Sequence, residues 1–134
     1  MSKVAVVYWS QTGNTEAMAK IVAEAAGTEP IECSEFSADK VKEYDALAFG
    51  CPAMGDEELD PDFQDLWESC LPELGDRPVG LFGSYDWGAG DWMDLWRQGA
   101  EDSGANVVDA VIGRLYPDDD AASELSALGK KLAG

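Results

Sequence analysis

A chain of 134 residues, 46% of them hydrophobic, can bury one sizeable core, which argues against intrinsic disorder despite a formal net charge of −18. That acidity repels nucleic-acid phosphates and anionic lipid headgroups, and no apolar run approaches the roughly 20 residues of a membrane span. Three irregularly spaced cysteines, Cys33, Cys51 and Cys70, and no histidine at all exclude a disulfide framework, the usual zinc and haem ligand sets and the commonest general base.

The predicted elements alternate strand and helix from end to end. Lys3–Trp9 is a nearly continuous apolar, β-branched run, as expected of a central parallel strand covered on both faces. Asn14–Ala26 reads as a helix with Ala17, Met18, Ile21, Val22 and Ala25 on one broad face. Pro30–Cys33 is a short, more polar strand suited to an edge, followed by a weak helix at Ala38–Glu43 and a third strand at Tyr44–Gly50. Pro61–Leu74 carries Phe63, Leu66, Trp67, Cys70, Leu71 and Leu74 at helical spacing, with Pro61 placed for a first turn.

Pro78–Ser84 is a fourth strand. Trp92, Leu95, Trp96 and Ala100 mark a helix that Ser103-Gly104 ends, Asn106–Ile112 is the fifth strand, and Ala121, Leu125, Leu128 and Leu132 line a closing helix. Five strands alternating with helices predict one α/β domain over residues 1–134, with a parallel sheet covered by helices on both faces. The start, Met1-Ser2-Lys3-Val4, runs straight into the first strand without a secretory n-region, pointing to a cytoplasmic protein. The cysteines read as reduced thiols packed in or near the core.

Ligands of open parallel sheets bind beyond the carboxyl ends of the strands, near the point where strand order reverses. The loops after strands one, three and four are therefore the informative ones. The first, Ser10-Gln11-Thr12-Gly13-Asn14-Thr15, offers three hydroxyls, an amide, a glycine turn and a helix N-terminus, which together make a nest for phosphate. It has no Lys or Arg and no Walker pattern, so a terminal monophosphate fits better than a hydrolysable triphosphate. Helix caps and turns use the same residue types singly; five in six positions exceed what one cap requires.

The second loop, Gly50 through Glu58, places Met54 among glycines and acids, and the third, Ser84 through Trp92, does the same with Trp87. Each side chain either folds back onto the core or covers a flat ligand, a contact that suits aromatic and thioether groups.

With these loops in place the chain resembles the flavodoxins over essentially its whole length, through VVYWSQTGNTEAMA, FGCPAMGDEEL and GSYDWGAGDWM. The Met-Gly-Asp-Glu turn and uninterrupted fifth strand are similar to those of short-chain, clostridial-style members. The resemblance implies a three-layer sandwich with strand order 2-1-3-4-5 and one non-covalently bound FMN. Ser10 through Thr15 would hold its phosphate. Trp87 would stack on one face of the flavin ring and Met54 would cover the other, with Gly55 and Asp56 of the second loop and Ser84 at the head of the third also binding the cofactor. The Glu57 carboxylate would accept from the ring imide, while main-chain groups of Ala53, Tyr85 and Gly88 would meet the remaining polar atoms. Gln11, Pro52, Asp86 and Ala89 depart from the family's common residues, Gly, Ser or Thr, Gly and an acid respectively.

The resemblance further implies a one-electron carrier rather than an enzyme. Gly55 would let its preceding peptide rotate toward the ring of the neutral semiquinone. Asp56, Glu57, Glu58, Asp60 and Asp62 would disfavour the anionic hydroquinone, giving a low-potential couple between those two states. A monomer meeting redox proteins through their basic docking surfaces is expected, although the acidity suits salt adaptation equally well. The main rival is an FMN-dependent NAD(P)H:quinone reductase on the same fold. A receiver-like domain lacks its acidic pocket and lysine, because Trp9-Ser10 and Gly113-Arg114 stand there instead.

Overall fold

Alternation within the first strand sets up a two-faced core. In β1 (Val4–Tyr8), Val4 and Val6 pack on one side of the sheet and Ala5 and Val7 on the other. All four are at most 2% exposed, which is why the segment reads as an unbroken apolar run. The computed structural model describes residues 3–10, 13–53, 59–85 and 90–134.

The remaining strands are β2 (Pro30–Glu32), β3 (Ala46–Gly50), β4 (Pro78–Tyr85) and β5 (Asn106–Arg114). Neighbours pair in parallel in the order β2-β1-β3-β4-β5, as the resemblance implies. The chain grows outward from β1 in both directions, so the switch point lies between β1 and β3. Pro30, which cannot donate to a ladder, opens the edge strand β2, where this is tolerated.

One face is covered by α1 (Asn14–Ala26) and α4 (Asp119–Ala133), whose Met18, Val22, Leu125 and Leu128 meet Val4, Val6 and Phe82. These helices approach closely at Gly129, where an added Cβ would stand 2.4 Å from the Val22 carbonyl oxygen. The other face is covered by α2 (Pro61–Cys70) and α3 (Asp91–Asp102). Its core is aromatic. Trp67 stands edge-on to Phe49 at 5.1 Å and to Trp96 at 5.5 Å, and Trp96 is edge-on to Phe63 at 5.7 Å between centroids, all within the favourable range for such pairs. No helix among the described residues is long and apolar enough to cross a membrane.

Several elements differ from these expectations. The helix from Pro61 ends at Cys70 and continues as a 3-10 turn over Leu71–Glu73, because Pro72 cannot donate the next helical hydrogen bond. Leu74 is still fully buried. Ala38–Glu43 is likewise a 3-10 helix, Cys33 lies in a short 3-10 turn after β2, and β3 starts at Ala46 rather than Tyr44. The strand β5 runs on to Arg114, with a bulge at Val108: Val79 pairs with Val107 and Gly80 with Asp109.

The buried stripe of α1 is Thr15, Met18, Ala19, Val22, Ala23 and Ala26, so Ala17, Ile21 and Ala25 lie on its half-buried margin. In α3 the stripe runs through Trp92, Met93, Trp96 and Ala100. Met93 takes the place expected for Leu95, which is 73% exposed.

Candidate cofactor site at the carboxyl edge of the sheet

The loops after β1, β3 and β4 meet at one edge because strand pairing continues beyond the strands themselves. Trp9 N–H donates to the Gly50 carbonyl at 3.0 Å, Cys51 N–H to Phe82 at 3.2 Å and Ala53 N–H to Ser84 at 2.9 Å. A side-chain tie completes the lacing: the hydroxyls of Thr15, in the first turn of α1, and Ser84, near the end of β4, lie 2.7 Å apart. Both residues are at most 4% exposed. In this apolar surrounding a satisfied pair fixes the first loop against the third, whereas either hydroxyl alone would be left without a partner.

The described residues of the first loop, Ser10 and Gly13 to Thr15, gather at the start of α1. Gly13 caps α1 in the left-handed region at φ 94°. A Cβ there would meet nothing within 4 Å, so backbone conformation rather than space calls for glycine. The Ser10 hydroxyl oxygen accepts from the N–H of Gly13 at 3.0 Å and of Glu16 at 3.3 Å, tying Ser10 to the helix start. Asn14 begins α1 and is half-buried. Hydroxyls and amides at a helix N-terminus, with no cation in positions 10 to 15, form a donor set that fits a phosphate monoester.

The other expected residues divide in two. Ala53 is half-buried, and its N–H is committed to Ser84, which leaves its carbonyl as the group that can meet a ligand. Tyr85 closes β4, half-buried and tilted against Trp92 at 5.7 Å. Gln11, Thr12, Met54, Gly55, Asp56, Glu57, Trp87 and Gly88 lie outside the described residues, as do Glu58, Asp86 and Ala89.

Asp60, counted from the sequence among the acids around the flavin, serves the fold as well. Its carboxylate caps α2 by accepting from Asp62 N–H at 3.0 Å and Phe63 N–H at 3.1 Å. Reading the sequence missed two ties. One joins Thr15 to Ser84, for which two hydroxyl residues at facing loop ends were the only signal. The other is the Tyr8 phenol donating to Glu16 at 3.3 Å. Burial, then the Glu16 carboxylate, raises the Tyr8 pKa above its ordinary value.

All three cysteines are free and buried, as the sequence suggests. Loss of solvation pushes Cys33 and Cys51 up to about 12 and Cys70 up to about 11, with the Glu32 carboxylate adding to the effect at Cys33. The thiols are therefore neutral, unreactive packing groups. An unfolded chain sheds thiol protons near the ordinary value of 9.0, while the folded one keeps them until about 11 to 12. Above pH 9 the unfolded state thus binds fewer protons. Stability that is fully present below pH 9 should fall as pH rises toward 11 to 12, by about 1.4 kcal/mol per pH unit for a fully buried thiol such as Cys51. Urea midpoints at about pH 8 and about pH 10.5 measure this, and native protein at about pH 8 should resist a thiol-labelling disulfide reagent. Rapid labelling of all three would contradict it.

Comparison with known proteins supplies the family. The flavodoxin family model matches residues 6–128. The chain is 44% identical to the flavodoxin of Megasphaera elsdenii, the alignment covering 97% of this chain and 98% of that one. It is 35% identical to the flavodoxin of Clostridium beijerinckii, over 96% and 97% of the two chains. The solution structure of two-electron reduced Megasphaera elsdenii flavodoxin superposes with a TM-score of 0.87 at 42% identity, covering 97% of this chain and 98% of that one. In agreement with the fold and the laced edge, the chain belongs to the flavodoxin family, and it is an FMN-binding electron carrier rather than an enzyme.

Proposed function

We propose that this single-domain flavodoxin is a low-potential carrier whose FMN is held by three loops at the carboxyl edge of the sheet. Bound FMN supplies one-electron transfer; the protein's part is to bind, shield and tune it. Ser10, Gln11, Thr12, Gly13, Asn14 and Thr15 hold the phosphate through neutral donors. Trp87 and Met54 flank the ring, Glu57 accepts from its imide, and the main chain of Ala53, Gly55, Tyr85 and Gly88 meets its polar edge. Ser84 acts by fixing Thr15. The observation that carries this reading is the tying together of the β1, β3 and β4 ends, with hydroxyls and backbone N–H groups gathered at the start of α1.

Carboxylates beside the flavin disfavour its gaining further negative charge, and apolar cover removes the water that would offset that charge. Asp56, Glu57, Glu58, Asp60 and Asp62 therefore lower the potential for the second electron. A net charge of −18 repels a second copy and draws in redox proteins with basic docking surfaces. The carrier acts as a monomer in the cytoplasm.

An anaerobic reductive titration with indicator dyes tests the tuning. The second electron should enter at a clearly lower potential than the first. Glu57→Gln and Asp62→Asn should each raise that lower potential by about 10–30 mV, less in high salt. Equal shifts in both steps, or none, would contradict the assignment.

A further inference from the structure

The aromatic core beneath α2 and α3 is buried, yet the two helices are not flush with one another at the surface. They leave an open groove of about 710 Å³ at the surface, floored by Trp67, Trp92 and Trp96 and rimmed by Leu59, Leu71 and Leu95. Among the described residues the indole N–H groups of Trp92 and Trp96 are buried and meet no acceptor, so these two rings present carbon rather than polar atoms to the groove. Leu95, 73% exposed, stands on its edge although the opposite face of α3 is fully packed.

Gly99 deepens the anomaly. It lies inside α3 at ordinary helical φ, and a Cβ built on it meets nothing within 4 Å. Neither backbone strain nor a close approach calls for glycine there, yet glycine weakens a helix interior. Its effect is to keep the groove wide.

Charge decides what fits. The helix α2 carries Asp62, Asp65 and Glu68 with no basic residue, and Glu68 itself lines the groove. The helix α3 carries Asp91, Asp94, Glu101 and Asp102 against one arginine, Arg97, which is paired with Glu101 at 3.6 Å. A second copy of this chain would bring the same acids to the contact. We infer that the groove between α2 and α3 is a docking site for a basic amphipathic helix of a partner protein. Apolar side chains of that helix enter over Trp67 and Trp96, and its Lys and Arg residues meet the acidic flanks. This site lies on the helical face, away from the phosphate loop, and deepens the basic-partner reading by giving that partner a place and a shape.

The test uses the FMN-loaded protein and rhodamine-labelled helical peptides read by fluorescence anisotropy. One peptide has Leu on one face and Lys on the other; the second replaces Leu with Ser; the third replaces Lys with Gln. The Leu/Lys peptide should bind in a salt-sensitive manner, and both others about tenfold or more weakly. Gly99→Leu, which fills the groove, should weaken the Leu/Lys peptide about tenfold while Tm and the flavin spectrum hold, and Leu95→Ser should weaken it several-fold.

Unaltered binding by both variants overturns the groove. Equal binding of the Lys/Ser peptide also overturns it, but keeps the general basic-partner reading. If no basic peptide binds even at low salt, both fall. Equal binding of the Leu/Gln peptide rejects a basic occupant, and self-association in sedimentation that Gly99→Leu abolishes makes the occupant a second copy.

Discussion

Trp67→Ala should destabilise the apoprotein by about 4 kcal/mol, the upper range for removal of a large buried aromatic. Trp67 is 3% exposed and joins three elements: it is edge-on to Phe49 of β3 at 5.1 Å and to Trp96 of α3 at 5.5 Å, while itself belonging to α2. The groove that Trp67 itself lines leaves few neighbours on that side to fill the space vacated. Against a typical total of about 5–15 kcal/mol, such a loss removes a large fraction of stability. Trp67→Phe keeps an aromatic edge and should cost well under half as much. Urea unfolding of the apoprotein is the proper measurement, because bound FMN would add a mass-action term to the folded state. A loss below about 1.5 kcal/mol would show that the α2–α3 face contributes less packing than its geometry implies.

Gly83→Ala should cost about 3 kcal/mol, at the high end for overpacking, and should also weaken FMN binding. An added Cβ would stand 2.2 Å from the Cys51 carbonyl oxygen and 3.1 Å from Trp92 Cζ2. The first contact is with backbone and cannot be relieved by a rotamer change. Nor is the segment free to retreat, because Cys51 and Ala53 N–H are both bonded across to β4. The strain therefore falls on the start of the second loop, linking stability to the site. Gly13→Ala is the informative control: it meets no atom within 4 Å, but its φ of 94° is strained for alanine, costing about 1–2 kcal/mol. A Gly83→Ala protein as stable as the parent would mean that β3 and β4 part easily at their carboxyl ends. Unfolding midpoints and FMN dissociation constants of the two variants separate the effects.

These two positions also show what the sequence could and could not reveal. The strand at β1 and the helix at Asn14–Ala26 were legible because an unbroken β-branched run and a one-sided apolar stripe leave little else for the chain to do. The three loops were legible as a site because glycines and hydroxyls clustered where an α/β sheet places ligands. Which side of α3 faces the core was less clear. Leu95 and Met93 both extend an apolar pattern begun at Trp92, and only the packing of α3 on β4 and β5 selects Met93.

Contacts between distant segments left little local mark. The Thr15–Ser84 pair spans 69 positions, and neither residue type distinguishes a buried tie from a ligand-facing hydroxyl. The reason for Gly83 is similarly invisible, since it depends on where the Cys51 carbonyl lies. Residues 54–58 and 86–89, with Met54 and Trp87 among them, fall outside the described residues.

The central claim is that neutral donors of the first loop hold the FMN phosphate while the other loops hold the ring. Titrating the apoprotein with FMN and with riboflavin, followed by quenching of flavin fluorescence, tests it most directly. FMN should bind one to one and tightly. Riboflavin, which lacks the phosphate and its several charge-assisted hydrogen bonds, should bind at least about a hundredfold more weakly. Equal affinity for the two flavins, or no uptake of FMN, would contradict the account.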